Sequence, residues 1–122
     1  MNKRKKGDHF ETMAQEWLKQ KGLKTISRNY HCRYGEIDLI MLDQQACLCF
    51  IEVKFRAGSD FGGSAYSLPA SKQRKLTRTA LHYLDNNRQY QQNAKRFDAL
   101  LLQGDDHEKP SINWIRNAFY AE

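Results

Sequence analysis

The sequence predicts one α/β domain with the element order α-β-β-β-α-β-β. Two segments carry apolar residues at helical spacing, and five short apolar, β-rich runs lie between and after them. A chain of 122 residues can bury one hydrophobic core but not two. Its 40% hydrophobic and 28% charged residues are typical of a soluble globular protein, which supports a single domain over residues 1–122.

The first helix is predicted over residues 8–21. Asp8 and Glu11 have the spacing of a capping box, and Gly22 supplies a stop signal. The apolar stripe of this helix consists of Phe10, Met13, Ala14, Trp17 and Leu18. The basic residues 1–7 that precede it are expected to form a flexible N-terminus.

Three strands are predicted next. The first covers residues 24–30 and is followed by a turn at residues 31–35. The second and third cover residues 37–42 and 47–55, and the polar residues 43–45 between them indicate a hairpin.

Acidic residues interrupt the second and third of these strands. Residues two apart share a face of a strand, so Glu36 and Asp38 should point away from Ile37, Leu39 and Met41. Glu52 and Lys54 should likewise share a face. Charges within such apolar strands cost several kcal/mol each unless they are compensated. A divalent cation would compensate them, since carboxylates supply the hard oxygen ligands that Mg²⁺ prefers, and a neighbouring lysine could hold an anionic substrate.

The composition of the region after Lys54 predicts a loop followed by a basic helix. Residues 57–68 are rich in glycine and serine, which indicates either a flap over a substrate or a plain connector. Ser71 is expected to cap a helix that ends near residue 86. Its first two turns carry four cations that oppose the helix dipole unless an anion such as phosphate binds, namely Lys72, Arg74, Lys75 and Arg78.

The chain is predicted to end in two more strands. They cover residues 96–102 and 112–119, after a polar connector at residues 86–95. No apolar run approaches the roughly 18 residues of a membrane span, and no signal peptide is evident, so a cytoplasmic location is expected. The odd cysteine count, without zinc-like spacing, agrees with a reducing compartment.

The net charge of +6 and the isoelectric point near 9.3 favour a polyanionic partner, of which nucleic acid is the commonest. A merely soluble basic surface explains the charge equally well. Arg33, in the turn before the second strand, is a further candidate for a phosphate contact.

The acidic strands carry a resemblance to a known family. Asp38, followed on the next strand by Glu52-Val53-Lys54, resembles the PD-(D/E)-x-K motif of the restriction-endonuclease-like nucleases, with Ile37 in place of the proline. The chain is similar from about residue 7 to residue 119 to the bacterial YraN-type family, which is related to the archaeal Holliday-junction resolvases. The segments that carry this similarity are Gly35-Glu36-Ile37-Asp38-Leu39-Ile40, Phe50-Ile51-Glu52-Val53-Lys54, Lys72-Gln73-Arg74-Lys75-Leu76 and Arg96-Phe97-Asp98.

This resemblance implies a mixed sheet with helices on both faces and Mg²⁺- or Mn²⁺-dependent hydrolysis of DNA, with double-stranded or branched DNA as the expected partner. It implies that Asp38 and Glu52 bind the metal and that Lys54 orients the attacking water. It adds Glu11 as a third metal ligand, although this residue could instead serve only the helix dipole. It also places Gln73 near the active site.

Two alternatives remain open from the sequence. The chain could be a nucleic-acid-binding module that keeps the nuclease fold without turnover, although the acid-acid-lysine set is intact. It could also be an interaction protein in which Asp38 and Glu52 form a structural ion-pair network with arginines. A homodimer is left open.

Overall fold

The computed structural model describes residues 2–58 and 67–121, which form a five-stranded sheet with a helix on each face. The elements are α1 (Lys3–Gln20), β1 (Lys24–Cys32), β2 (Gly35–Leu42), β3 (Leu48–Arg56), α2 (Ala70–Asp85), a short 3-10 helix (Arg88–Tyr90), β4 (Lys95–Gln103) and β5 (Ser111–Phe119). This order confirms the predicted α-β-β-β-α-β-β arrangement. Within the described ranges, no helix is both long enough and apolar enough to cross a lipid bilayer.

The sheet is mixed, as predicted. Its strands lie side by side in chain order, β1-β2-β3-β4-β5. The β1–β2, β2–β3 and β4–β5 pairs are antiparallel, whereas β3 and β4 are parallel. A parallel pair needs a crossover connection, and α2 lies within that crossover.

The two helices bury opposite faces of the sheet. The α1 stripe of Phe10, Ala14 and Leu18 packs on one face, together with Cys49, Ile51, Val53 and Phe55 of β3. The α2 stripe packs on the other face, with Leu48 and Phe50 of β3. The alternation predicted for the third strand is therefore confirmed, and it leaves Glu52 on the α2 side.

Both helices begin earlier than predicted. The side chain of Asn2 accepts a hydrogen bond from the backbone N–H of Lys5 at 2.9 Å, so Asn2 caps α1 and Asp8 does not. Residues 3–7, predicted to be flexible, form the first turns of α1, because lysine and arginine are good helix formers once a cap lies in front of them. In α2, Pro69 occupies the cap position with its fixed φ of −57°, and Ser71 lies inside the helix.

The prediction that Ile37 shares a face with Leu39 and Met41 is also wrong. Ile37 packs with Ile40 beneath α2, whereas Leu39 and Met41 pack beneath α1. The alternation of β2 therefore breaks at Asp38, which lies between Ile37 and Leu39. The flap predicted at residues 57–68 falls largely outside the described residues, since residues 59–66 are not among them.

Candidate functional site

Asp38 lies where β2 and β3 separate. The last paired residues of these two strands are Leu39 and Ile51. Two residues farther along β3, the backbone N–H of Val53 donates a 2.8 Å hydrogen bond to Oδ2 of Asp38. The aspartate side chain thus replaces a backbone acceptor at the end of the ladder. This contact directs its carboxyl group toward β3, at the point where the two strands stop pairing.

Three glutamates act on the carboxyl group of Asp38. Burial raises the pKa of Asp38 to about 7, in opposition to the hydrogen bond from Val53, and the charges of Glu11, Glu52 and Glu36 raise it further. These glutamates come from α1, β3 and β2 respectively. The charges of Glu52 and Glu11, the two other predicted metal ligands, therefore act on Asp38 together with that of Glu36, and these four residues form an acidic cluster.

Glu11 reaches this cluster from the α1 side. Its Oε1 atom is buried and makes no hydrogen bond to any residue in the described parts of the chain, and the nearest cation, Nε of Arg28, lies 3.7 Å away. Burial raises the pKa of Glu11, while a hydrogen bond with Asn29 and the charge of Arg28 lower it. Because α1 begins at Lys3, Glu11 is not a first-turn acid, and its interpretation as a helix cap is wrong.

Glu52 faces α2, where it contacts a residue predicted to bind DNA. Nζ of Lys72 lies 2.9 Å from Oε1 of Glu52. The Glu52 side chain is 13% exposed and that of Lys72 is 47% exposed, so the glutamate end of the ion pair is largely buried and the lysine end lies at the surface. Lys54, two residues after Glu52 on β3, is exposed and shares its face of the strand.

Arg33 and Arg78 meet in a separate pocket. This pocket has a volume of about 440 Å³, and Tyr34, His82 and Asp85 also line it. The guanidinium group of Arg33 donates to the hydroxyl of Tyr34 at 2.7 Å and lies 4.8 Å from the centre of its ring. Two of the predicted phosphate-binding cations and an aromatic side chain thus line the same pocket.

The remaining predicted residues lie along α2. Gln73 and Arg74 line a groove of about 490 Å³ beside the end of β5. The side-chain amide of Gln73 donates to the carbonyl of Leu68 at 2.8 Å, so Gln73 holds the segment that enters α2. Lys75 is exposed, and its Cβ lies close to Gly35. A side chain at Gly35 would place its Cβ 3.2 Å from Oγ1 of Thr79, so this glycine permits the close approach of β2 and α2.

A second charged network, centred on Asp98, was missed by sequence reasoning. Asp98 is 2% exposed and accepts hydrogen bonds from Nε of Arg96 at 3.0 and 3.1 Å, from Nε1 of Trp114 at 3.0 Å and from the backbone N–H of Asn117 at 3.0 Å. Nη1 of Arg96 also donates to Oδ2 of Asp43 at 2.9 Å. The only sequence signal for it was the Arg96-Phe97-Asp98 segment, quoted above without a role.

Among the described residues, Asp43, Cys47 and Cys49 have their ligand atoms within 4.8 Å of one another, whereas the carboxylates of Asp38, Glu52 and Glu11 do not all come that close. The Oδ1 atom of Asp43 already accepts hydrogen bonds from the backbone N–H groups of Gln45 and Cys47, at 2.9 and 2.8 Å. Its other oxygen binds Arg96, and thiols are soft ligands that do not suit Mg²⁺. This group differs in both chemistry and position from the predicted magnesium site.

Sequence comparisons relate the chain to a known protein family. A family model described as "Uncharacterised protein family UPF0102" matches residues 10–102, a range that contains all four acids of the cluster. A UPF0102 protein of Alcanivorax borkumensis is 40% identical over 121 residues, which cover 99% of this chain and 96% of the relative. UPF0102 proteins of Nitrosospira multiformis and Psychromonas ingrahamii are each 46% identical, over 98% and 93% of this chain and over 96% and 88% of their own lengths. The chain belongs to the UPF0102 family.

Proposed function

We propose that this protein is a divalent-cation-dependent endonuclease that hydrolyses phosphodiester bonds in DNA. The observation that carries the proposal is the position of Asp38, which accepts a hydrogen bond from Val53 of the neighbouring strand and whose pKa is raised to about 7 by burial and by the charges of Glu11, Glu52 and Glu36. Perturbed carboxylates in a cleft are typical of functional sites. The resemblance of Asp38 and Glu52-Val53-Lys54 to the PD-(D/E)-x-K motif supports the same function.

The acidic cluster suits Mg²⁺ or Mn²⁺. Asp38, Glu52 and Glu11 would hold the ion through carboxylate oxygens, the ligands that these cations prefer. The buried Oε1 atom of Glu11, which has no hydrogen-bond partner in the described parts of the chain, is an oxygen available to it. When bound, the ion would polarise the phosphate and lower the pKa of a water molecule.

The remaining steps belong to side chains around the cluster. Lys54, beside Glu52 on β3, would orient the attacking water and stabilise negative charge on the scissile phosphate. The backbone of the DNA would run along α2, whose first turn carries no acidic residue, toward the pocket of Arg33 and Arg78. The relation to junction resolvases favours branched DNA as the substrate.

The test is a cleavage assay on linear, nicked, flapped and four-way DNA with Mg²⁺ or Mn²⁺. We expect cleavage by the wild type and none by Asp38→Asn or Lys54→Ala. The metal should also raise the melting temperature of the wild type, since a ligand that binds only the folded state stabilises it, and this rise should disappear in Asp38→Asn. DNA binding without cleavage would instead identify a non-catalytic binding module, and no response to either metal would refute the metal site.

A further inference from the structure

Lys72 holds an unusual position between α2 and the acidic cluster. It belongs to the first turn of α2, and its ammonium group lies 2.9 Å from Oε1 of Glu52. Its side chain is about half exposed, at 47%, whereas that of Glu52 is 13% exposed. The ammonium group therefore contacts the cluster from its solvent side, at the end of a flexible stem.

The acidic cluster and the helix act on Lys72 in opposite directions. The hydrogen bond with Glu52 raises the pKa of Lys72 against the effect of burial, and the charges of Glu52, Asp38 and Glu36 raise it further. The N-terminal end of a helix disfavours a cation, and the first turn of α2 has neither an acidic residue nor a side-chain cap. Of these two influences, only the carboxylates attract the ammonium group of Lys72, since the helix dipole repels it. Neutralising the carboxylates would remove the attraction that keeps it there.

We propose that Lys72 is an exchangeable counterion of the acidic cluster, which leaves Glu52 when a divalent cation binds and then contacts a DNA phosphate. This inference rests on the proposed function. In the absence of metal, Lys72 neutralises part of the negative charge around Asp38. Once it is displaced, its ammonium group lies beside the N-terminus of α2, where an anion is favoured by the helix dipole and by the neighbouring cations Arg74 and Lys75.

The exchange couples two binding events. Metal binding releases a cation for DNA, and DNA binding withdraws a competing cation from the metal ligands. By thermodynamic linkage, each ligand then raises the affinity for the other by the same factor. A protein without the Lys72 charge should bind metal more tightly on its own and should show weaker coupling between metal and DNA.

The first measurement is the Mn²⁺ affinity in the absence of DNA, determined by electron paramagnetic resonance. Lys72→Gln should bind Mn²⁺ about two- to fivefold more tightly than the wild type, the range expected for loss of a partly exposed ion pair. Lys72→Arg keeps the charge and should retain the wild-type affinity. Lys75→Gln, one turn along the same helix, is the matched control for net charge and should also leave Mn²⁺ affinity unchanged.

The second measurement is DNA affinity with and without Ca²⁺, by fluorescence anisotropy on a four-way junction, with the DNA checked on a gel for intactness. Ca²⁺ should tighten DNA binding by the wild type by about fivefold or more. This factor should be smaller in Lys72→Gln. Lys75→Gln should weaken DNA binding while keeping the factor.

The outcomes separate this inference from the proposed function. If the wild type binds Mn²⁺ and Lys72→Gln has the same Mn²⁺ affinity and the same coupling factor, the role of Lys72 is refuted and the metal site stands. If the wild type binds no Mn²⁺, the metal site and the role of Lys72 are both refuted. Circular dichroism melts of each variant establish that the comparison is made between folded proteins.

Discussion

Asp38 and Asp98 are both acidic residues within apolar strands, but Asp98 is surrounded by hydrogen-bond donors and a cation, whereas Asp38 is near other carboxylates. Asp98, on β4, accepts hydrogen bonds from Arg96, Trp114 and Asn117. Asp38, on β2, accepts one from Val53, and burial together with the charges of three glutamates raises its pKa to about 7. One carboxylate is compensated by the protein itself, and the other lies where further negative charge makes ionisation unfavourable.

This difference distinguishes a structural acid, Asp98, from the acid that we propose to be functional, Asp38. The donors around Asp98 join β4 to β5, and through Arg96 they also join the β2–β3 turn at Asp43. A buried charge with such partners specifies how strands meet. The cluster around Asp38 has the opposite effect, because it concentrates like charges that disfavour the folded state, and the proposed cation would relieve this repulsion. Active sites commonly keep such arrangements at the expense of stability.

The largest expected effect comes from neutralising each aspartate in turn. Asp98→Asn leaves Arg96 facing a neutral group in a buried site, and we expect it to lower the free energy of unfolding by about 3–5 kcal/mol. Asp38→Asn still offers an oxygen to Val53 and removes a repelled charge, so the metal-free variant should be as stable as the wild type or slightly more stable. Urea denaturation of all three proteins at pH 8 with a chelator measures both effects. Equal destabilisation by the two substitutions would make Asp38 a structural residue.

A smaller effect is expected in the pH dependence of stability. The folded-state pKa of Asp38, about 7, lies above its ordinary value of 3.8, so the folded protein binds a proton more tightly than the unfolded chain. The resulting stabilisation is fully present below pH 3.8 and is lost as pH rises through 7. Linkage gives a loss of about 2–3 kcal/mol between pH 5 and pH 8. This loss should be measurable as the difference between wild type and Asp38→Asn in metal-free urea denaturation.

Asp43 provides the control for that pH profile. Burial raises its pKa, but hydrogen bonds from the backbone of Cys47, from Arg96 and from the backbone of Gln45 outweigh this and leave the pKa lowered. Its contribution to stability is therefore present above its unfolded-state pKa and is lost only as pH falls through the lowered value. The difference between wild type and Asp43→Asn should be constant from pH 5 to pH 8. A constant difference for Asp38→Asn as well would contradict its raised pKa.

The same two aspartates show how far the sequence predicts this protein. The order of elements and the alternation of β3 followed from apolar periodicity, and Asp38 and Glu52 were found as charges within apolar runs, whereas Glu11 came only from the family resemblance. The break in alternation at Asp38 did not, because it depends on where β2 and β3 stop pairing, which is a property of the sheet. The network around Asp98 could not be predicted either, since its partners Trp114 and Asn117, and Asp43, which binds Arg96, are distant in the chain and only folding brings them together.

Next to the strand of each aspartate lies an edge strand that contains an asparagine with positive φ. Replacing these two asparagines is the comparison with the smallest expected effect. Asn29 has a φ of 56° and lies between Arg28 and Tyr30, whose partners Leu39 and Ile37 flank Asp38. Asn117 has a φ of 52° and donates its backbone N–H to Asp98. The side chain of Asn29 instead lowers the pKa of Glu11, whereas Asn117 acts through its main chain.

Replacing each asparagine with glycine should therefore have different consequences. Glycine tolerates positive φ, so neither change introduces backbone strain. Asn29→Gly removes the side chain that favours the charged form of Glu11, and we expect Mn²⁺ affinity to fall about tenfold, the lower end of the effect seen when a residue supporting a metal ligand is lost. Asn117→Gly keeps the N–H that binds Asp98 and should leave Mn²⁺ affinity unchanged. Electron paramagnetic resonance titrations of both variants decide the matter, and equal affinities would show that Asn29 does not position Glu11 for metal binding.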